Sequence, residues 1–82
     1  MTWHAAQPGP ADGVVAWFDA EDGWGVINAP ELPGGCFVHF SEVHADGYQW
    51  LAAGERVVFR FEQPPRPRDG YGYRALDVWL QD

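Results

Sequence analysis

The sequence predicts an all-β fold, a small five-stranded antiparallel barrel. Short segments rich in aromatic and β-branched residues recur along the chain, and clusters of glycine, proline and aspartate separate them at nearly regular spacing. No stretch has the period of a helix of ordinary length. The 82 residues suffice for one domain. We expect the sheet to close, because closure removes the exposed edges of short strands.

The first two predicted strands form a hairpin. Residues 1–12 contain two prolines and no periodicity, so we expect a flexible tail there and a barrel domain over residues 13–80. The first strand covers residues 13–18. The polar run 19–23 after it ends in an Asp-Gly pair, which is a strong turn signal. The second strand then covers residues 24–29.

The remaining strands follow at similar spacing. A loop with two prolines and two glycines leads to the third strand, residues 36–40. Residues 41–44 are expected to form at most one helical turn, with Ser41 as its N-cap. The clearest alternation of apolar and polar residues marks a fourth strand over residues 56–62. A proline-rich connection then precedes the last strand, from about residue 72 to residue 80.

The second and third strands each present two different sets of side chains, because successive residues of a strand point to opposite faces. The small apolar set, Ile27, Cys36 and Val38, suits a core. Trp24 and Phe37 belong to the other set and would face solvent, and an exposed aromatic surface is typical of a site for a flat ligand. Greek-key barrels of the OB type bind single-stranded oligonucleotides on this pair of strands. We therefore expect a barrel of that type.

Four segments of the sequence resemble the cold-shock domain family in order and spacing: GVVAWF at residues 13–18, GWGVI at 23–27, FVHFS at 37–41 and DGY at 46–48. The second and third correspond to the family's two ribonucleoprotein motifs, and together they are highly specific. The resemblance covers residues 13–80 and implies a five-stranded barrel that binds single-stranded DNA or RNA. It places the family's base-stacking positions at Trp17, Trp24, Phe37, His39, Phe40 and Tyr48.

At four positions the chain departs from the family pattern. Relatives usually carry lysine where this chain has Ala16 and Asp22, asparagine at Asp19 and phenylalanine at Val26. The missing lysines remove positive charge beside the aromatic surface. Asp19 accepts hydrogen bonds but does not donate them, so it should favour the amino groups of bases. Val26 lacks a stacking surface, which costs about 1–3 kcal/mol if a base stacked there.

The charge of the chain predicts binding with little electrostatic attraction. Twelve acidic and five basic residues give a net charge of −7, and all five bases are arginines in the second half. The resemblance places Arg66, Arg68, Tyr71 and Tyr73 beside the binding face, where arginine can pair with phosphate and stack on a base. If about two phosphates are neutralised, affinity should fall with salt at a log–log slope of about −1.4. The predicted nucleic-acid-binding residues are Trp17, Asp19, Trp24, Val26, Phe37, His39, Phe40, Tyr48, Arg66, Arg68 and Tyr73.

The sequence favours neither an enzyme nor a metalloprotein. It shows no pairing of a nucleophile with a base and no glycine-rich phosphate loop, and the spacing of Cys36 and the three histidines matches no metal-ligand pattern. We therefore expect no catalysis, no cofactor and no metal, with Cys36 in the core. No apolar run is long enough to span a bilayer, so we expect no membrane partner and a cytoplasmic location.

Two functions remain open at this point. The first is binding of single-stranded DNA or RNA by base stacking, as an RNA chaperone or a regulator of transcription or translation. The second is a protein-interaction or self-association module, because the acidic charge and the missing lysines would suit a barrel that no longer binds nucleic acid. A monomer is the default expectation, and the choice between DNA and RNA stays open.

Overall fold

Strands account for most of the structure. The computed structural model describes residues 10–44, 50–67 and 70–81. One turn of 3₁₀ helix, Phe40–Glu42, follows the third strand. The strands in the described ranges are β1 (Ala11–Asp19), β2 (Trp24–Ala29), β3 (Leu32–His39), β4 (Val43–His44), β5 (Arg56–Glu62) and β6 (Tyr73–Leu80). The predicted all-β fold is confirmed.

The five longer strands close into a barrel. β1, β2 and β3 form an antiparallel meander, β5 pairs with the free side of β1, and β6 pairs with β5. A short parallel pairing, in which Cys36 of β3 lies opposite Tyr73 of β6, joins the two ends. The return of the chain to the side of β1 is a Greek-key connection, so the predicted architecture is confirmed. β4 is a two-residue addition beside β6 that the sequence did not predict.

Two strands begin earlier than predicted. β1 begins at Ala11 rather than at residue 13, because Ala11 is buried opposite Phe59 of β5. β3 begins at Leu32 rather than at residue 36, because Leu32 is buried and pairs with Ala29 across a tight turn. The glycines and prolines of this segment therefore indicated a longer loop than the one that forms. Residues 1–9 of the predicted tail lie outside the described residues.

A helical turn follows β3, but the prediction of Ser41 as its N-cap is wrong. The turn covers Phe40–Glu42 and its N-cap is His39, whose Nδ1 accepts a hydrogen bond from the backbone nitrogen of Ser41 at 3.3 Å. Ser41 lies inside the turn instead. An imidazole nitrogen here supplies the acceptor that a hydroxyl or carboxylate supplies at most helix starts.

The core contains the inward-facing set that the alternation predicts. Ile27, Cys36 and Val38 are fully buried, as are Val57 and Phe59 of β5. Within the described ranges, no helix is long and apolar enough to cross a membrane. The core cluster consists of Ala11, Val15, Ile27, Leu32, Cys36, Val38, Val43, Leu51, Val57, Phe59, Ala75 and Val78.

Burial makes the thiol of Cys36 unreactive in the folded protein. It raises the pKa of Cys36 from its ordinary 9.0 to about 12. The unfolded chain therefore loses this proton at lower pH than the folded chain does. The thiol's contribution to stability is complete below pH 9 and is lost as pH rises from about 9 to about 12, at up to about 1.4 kcal/mol per pH unit.

The comparison of wild type with Cys36→Ala isolates this effect. The free energy of unfolding should fall more steeply with alkaline pH for wild type than for Cys36→Ala, which lacks the titrating group. Urea titrations at several pH values above neutrality measure both slopes. Parallel slopes for the two proteins would show that Cys36 does not titrate on unfolding.

Candidate nucleic-acid interface

A β-bulge turns Trp17 towards the outer face of the sheet. β1 pairs Val15 with Ile27 and then Trp17 with Val26, so one extra residue, Ala16, lies between two successive pairs. A bulge of this kind reverses the alternation of side chains beyond it. Val15 is therefore buried in the core, whereas Trp17 is exposed outside it.

Trp24 lies at the centre of an aromatic cluster on this outer face. Its ring centroid is 4.8 Å from that of Trp17, edge to face, and 5.0 Å from that of Phe37, stacked at an interplanar angle of 20°. Tyr71, just before β6, approaches Trp24 edge-on at 6.3 Å. Aromatic pairs prefer separations and angles of this kind. The cluster therefore favours one orientation of the Trp24 ring.

Phe37 and Val26 lie on the predicted face but beneath its surface, so the expectation that Phe37 faces solvent is wrong. Phe37 is 2% exposed and Val26 is 4% exposed. The stacked ring of Trp24 covers Phe37. At Gly35, a Cβ would lie 2.9 Å from Val26 and 3.5 Å from the ring of Tyr71, which shows how closely the chain packs over Val26. Both residues form the floor under the exposed rings.

His39 and Phe40 extend the aromatic surface along β3. Their ring centroids lie 4.6 Å apart, and Phe40 is 43% exposed. Nδ1 of His39 accepts from the backbone N–H of Ser41 and lies 2.8 Å from its hydroxyl oxygen. A backbone N–H only donates, so in this geometry Nε2 carries the ring proton and can donate to a ligand. We call Trp17, Trp24, His39 and Phe40 the stacking face.

Asp19 organises the turn between β1 and β2. Its Oδ1 accepts hydrogen bonds from the backbone nitrogens of Glu21 at 2.9 Å and Asp22 at 3.1 Å. Its backbone carbonyl accepts a third bond, from Gly23 at 2.7 Å. Gly23 has a φ of 80°, which favours glycine at this position. One carboxylate oxygen is thus used within the turn, and reading of a base by Asp19 stays a prediction.

The turn gives Asp19 a testable structural role. Asp19→Ala should lower the free energy of unfolding by about 1 kcal/mol, because both side-chain hydrogen bonds are lost. Asp19→Asn keeps an oxygen acceptor and should remain close to wild type. Urea denaturation of the two variants measures the difference. Equal stability of the alanine and asparagine variants would contradict the role of Oδ1 in the turn.

Tyr73 is half-buried and packs towards the core, and its contact with nucleic acid stays a prediction. It is partly buried against the core cluster, and its ring meets that of Phe61 edge to face at 5.9 Å. The alternation of β6 indicates this inward orientation, because Tyr73 is two residues before the buried Ala75 and therefore points to the same face. Tyr71 instead contacts the cluster around Trp24.

Carboxylates already engage two of the arginines. Nη1 of Arg74 lies 3.1 Å from Oε2 of Glu62, across the β5–β6 pair. Arg60 Nη1 lies 3.0 Å from Asp77 Oδ2. Arg66 is exposed in the connection between β5 and β6. Two further predicted site residues, Tyr48 and Arg68, lie outside the described residues.

A cleft beside Phe40 contains a residue that the sequence analysis missed. It has a volume of about 350 Å³. Trp50, which is 50% exposed, lines it together with Phe18 and Phe40. The turn contributes the remaining wall, namely Ala20, Glu21, Asp22 and Gly23. Trp50 follows no strand alternation, so only the tertiary structure reveals its place here.

Comparisons with known proteins agree with this geometry. Residues 11–81 match the family model of the "cold-shock" DNA-binding domain. The cold shock-like protein CspD of Vibrio cholerae is 38% identical over 68 residues, which cover 83% of this chain and 83% of the relative. The major cold shock protein of Micrococcus luteus is also 38% identical over 68 residues, covering 83% of this chain and 94% of the relative.

A third relative is cold shock protein CspC of Bacillus subtilis, which is 44% identical over 54 residues, or 66% of this chain and 80% of the relative. The region that matches the family model, residues 11–81, contains every described strand of the barrel and the whole stacking face. The family match thus coincides with the strands that carry the exposed rings. This chain belongs to the cold-shock domain family.

Proposed function

We propose that this chain binds single-stranded DNA or RNA by stacking bases on the stacking face. The observation that carries the proposal is the run of four neighbouring rings on β1, β2, β3 and the turn after β3, with Trp24 supported by Phe37 from below. Stacking on an aromatic side chain contributes about 1–3 kcal/mol per base. Membership of the cold-shock domain family supports nucleic-acid binding in general.

The binding would tolerate many sequences, because every base has a flat face that can stack. Stacking on unpaired bases would hold weakly paired transcripts open. The proposed role is accordingly that of an RNA chaperone or a regulator of transcription or translation in the cytoplasm, without catalysis.

Charge would contribute little to the affinity. The net charge of −7 repels a polyanion at long range, and Arg60 and Arg74 are already paired with carboxylates. The exposed guanidinium of Arg66 is the described group best suited to meet a phosphate. Binding would therefore depend mainly on contacts of short range.

Quenching of tryptophan fluorescence tests the proposal. A short thymine-rich single strand, added at low salt, should quench the emission, since Trp17 and Trp24 lie on the stacking face. A duplex of the same sequence is the control and should quench much less, because its bases are already stacked and paired. The absence of quenching up to high micromolar single strand would contradict the proposal.

Sedimentation of the same samples distinguishes nucleic-acid binding from the second candidate function, a protein-interaction or self-association module. A monomer that is quenched by single strands fits the proposed function. A dimer that fails to bind nucleic acid, and whose formation shields Trp24, would replace it with self-association.

A further inference from the structure

The cleft between Phe40 and Trp50 differs in chemistry from the stacking face that it adjoins. Its aromatic side is formed by Phe18, Phe40 and Trp50, while two acidic residues, Glu21 and Asp22, line the side of the turn. Its volume is about 350 Å³. Because Phe40 belongs both to the cleft and to the stacking face, a strand lying on that face passes the mouth of the cleft.

We propose that this cleft binds one amino-bearing base, cytosine, adenine or guanine, of the strand on the stacking face. The inference deepens the proposed function and rests on it. Aromatic walls suit the flat ring of a base. Ionised carboxylates accept hydrogen bonds and do not donate them, so they pair with an exocyclic amino group. Uracil and thymine lack that group and offer a single ring N–H between two carbonyl oxygens, which a carboxylate repels.

The carboxylates also determine which part of a nucleotide enters. A phosphate is repelled by Glu21 and Asp22, so the base edge must point inward while the backbone stays outside. The turn that carries them is held by the three hydrogen bonds to Asp19. The backbone that carries both carboxylates is therefore ordered before the ligand arrives, which lowers the entropic cost of binding.

Two homo-oligomers of equal length, oligodeoxycytidine and oligodeoxyuridine, provide a matched pair of probes. Their bases differ in the amino or carbonyl group at one ring edge and in the adjacent ring nitrogen. At neutral pH, wild type should bind the cytidine oligomer at least about fivefold more tightly, the lower end of what one specific contact to a base edge supplies. Anisotropy of a labelled oligomer measures both dissociation constants.

The double variant E21Q/D22N should bring the ratio of the two dissociation constants close to one, because amides donate as well as accept. D12N/E31Q removes the same charge from exposed positions at the start of β1 and in the β2–β3 turn, and it should keep the wild-type ratio. Trp50→Leu, at a residue that is half exposed, should lower the ratio while the protein stays folded.

The binding ratios of wild type and the variants decide whether the cleft selects an amino-bearing base. Equal binding of the two oligomers by wild type, or a preference that survives in E21Q/D22N, would overturn the cleft assignment while leaving the stacking face intact. A ratio lowered equally by D12N/E31Q would assign the preference to overall charge and also overturn it. Failure of wild type to bind either oligomer would overturn the proposed function together with the inference.

Discussion

Trp24→Ala is expected to weaken single-strand binding by about 5-fold to 150-fold, which corresponds to the loss of one stacked base. Trp24 contacts Trp17, Phe37 and Tyr71, so the change also removes the support of neighbouring rings. It uncovers Phe37, which is otherwise buried. The upper part of the range is therefore the expected result. Anisotropy of a labelled oligonucleotide gives the affinity without relying on tryptophan emission.

Two further variants show whether loss of the Trp24 ring causes the loss of affinity. Trp24→Phe keeps an aromatic ring over Phe37 and should lose only a few-fold in affinity. Trp79→Ala removes an exposed tryptophan that stacks on His44, away from the stacking face, and should bind like wild type. Equal losses in Trp24→Ala and Trp79→Ala would mean that the stacking face is not the binding surface.

Gly25→Ala is expected to have the largest effect on stability. A Cβ at this position would lie 2.3 Å from the carbonyl oxygen of Trp17 and 2.7 Å from Cα of Phe18. Both are backbone atoms of the paired strand β1, so no side-chain rotation relieves the clash. Overpacking of this kind costs about 1–3 kcal/mol or more. Each kcal/mol lowers the Tm of a domain of this size by about 4–8 °C.

Gly72→Ala is the matched control. Among the described residues, no atom outside the two chain neighbours lies within 4 Å of a Cβ built at Gly72. That substitution should leave the Tm unchanged or raise it slightly, because alanine restricts the unfolded chain. Thermal denaturation followed by circular dichroism compares the two variants. A Gly25→Ala protein that melts with wild type would contradict the close approach of β1 and β2.

The separation of core and outer residues in β2 and β3 was predictable from the sequence. Alternation is a local property, and it correctly placed Ile27, Cys36 and Val38 in the core. The strong turn signal after β1 was likewise sufficient for the hairpin. In β1, by contrast, strict alternation from Val15 would bury Trp17. The bulge that exposes it leaves no pattern in the sequence, and only the resemblance to cold-shock domains indicated its position.

The parts of the site that the sequence did not predict depend on contacts between distant residues. Phe37 is buried beneath the stacked ring of Trp24. Tyr73 packs partly against the core, while Tyr71 lies just before β6 and reaches Trp24. Trp50 reaches the cleft from a segment without periodicity. None of these contacts follows from local sequence.

The salt dependence of affinity tests most directly the claim that stacking, rather than charge, drives binding. The association constant for a short thymine-rich single strand is measured over a range of salt concentrations and plotted on logarithmic axes. If about two phosphates are neutralised, as the charge of the chain suggests, the slope should be about −1.4. A slope near −3.5, equivalent to about five neutralised phosphates, would contradict the claim. So would the absence of binding at the lowest salt concentration.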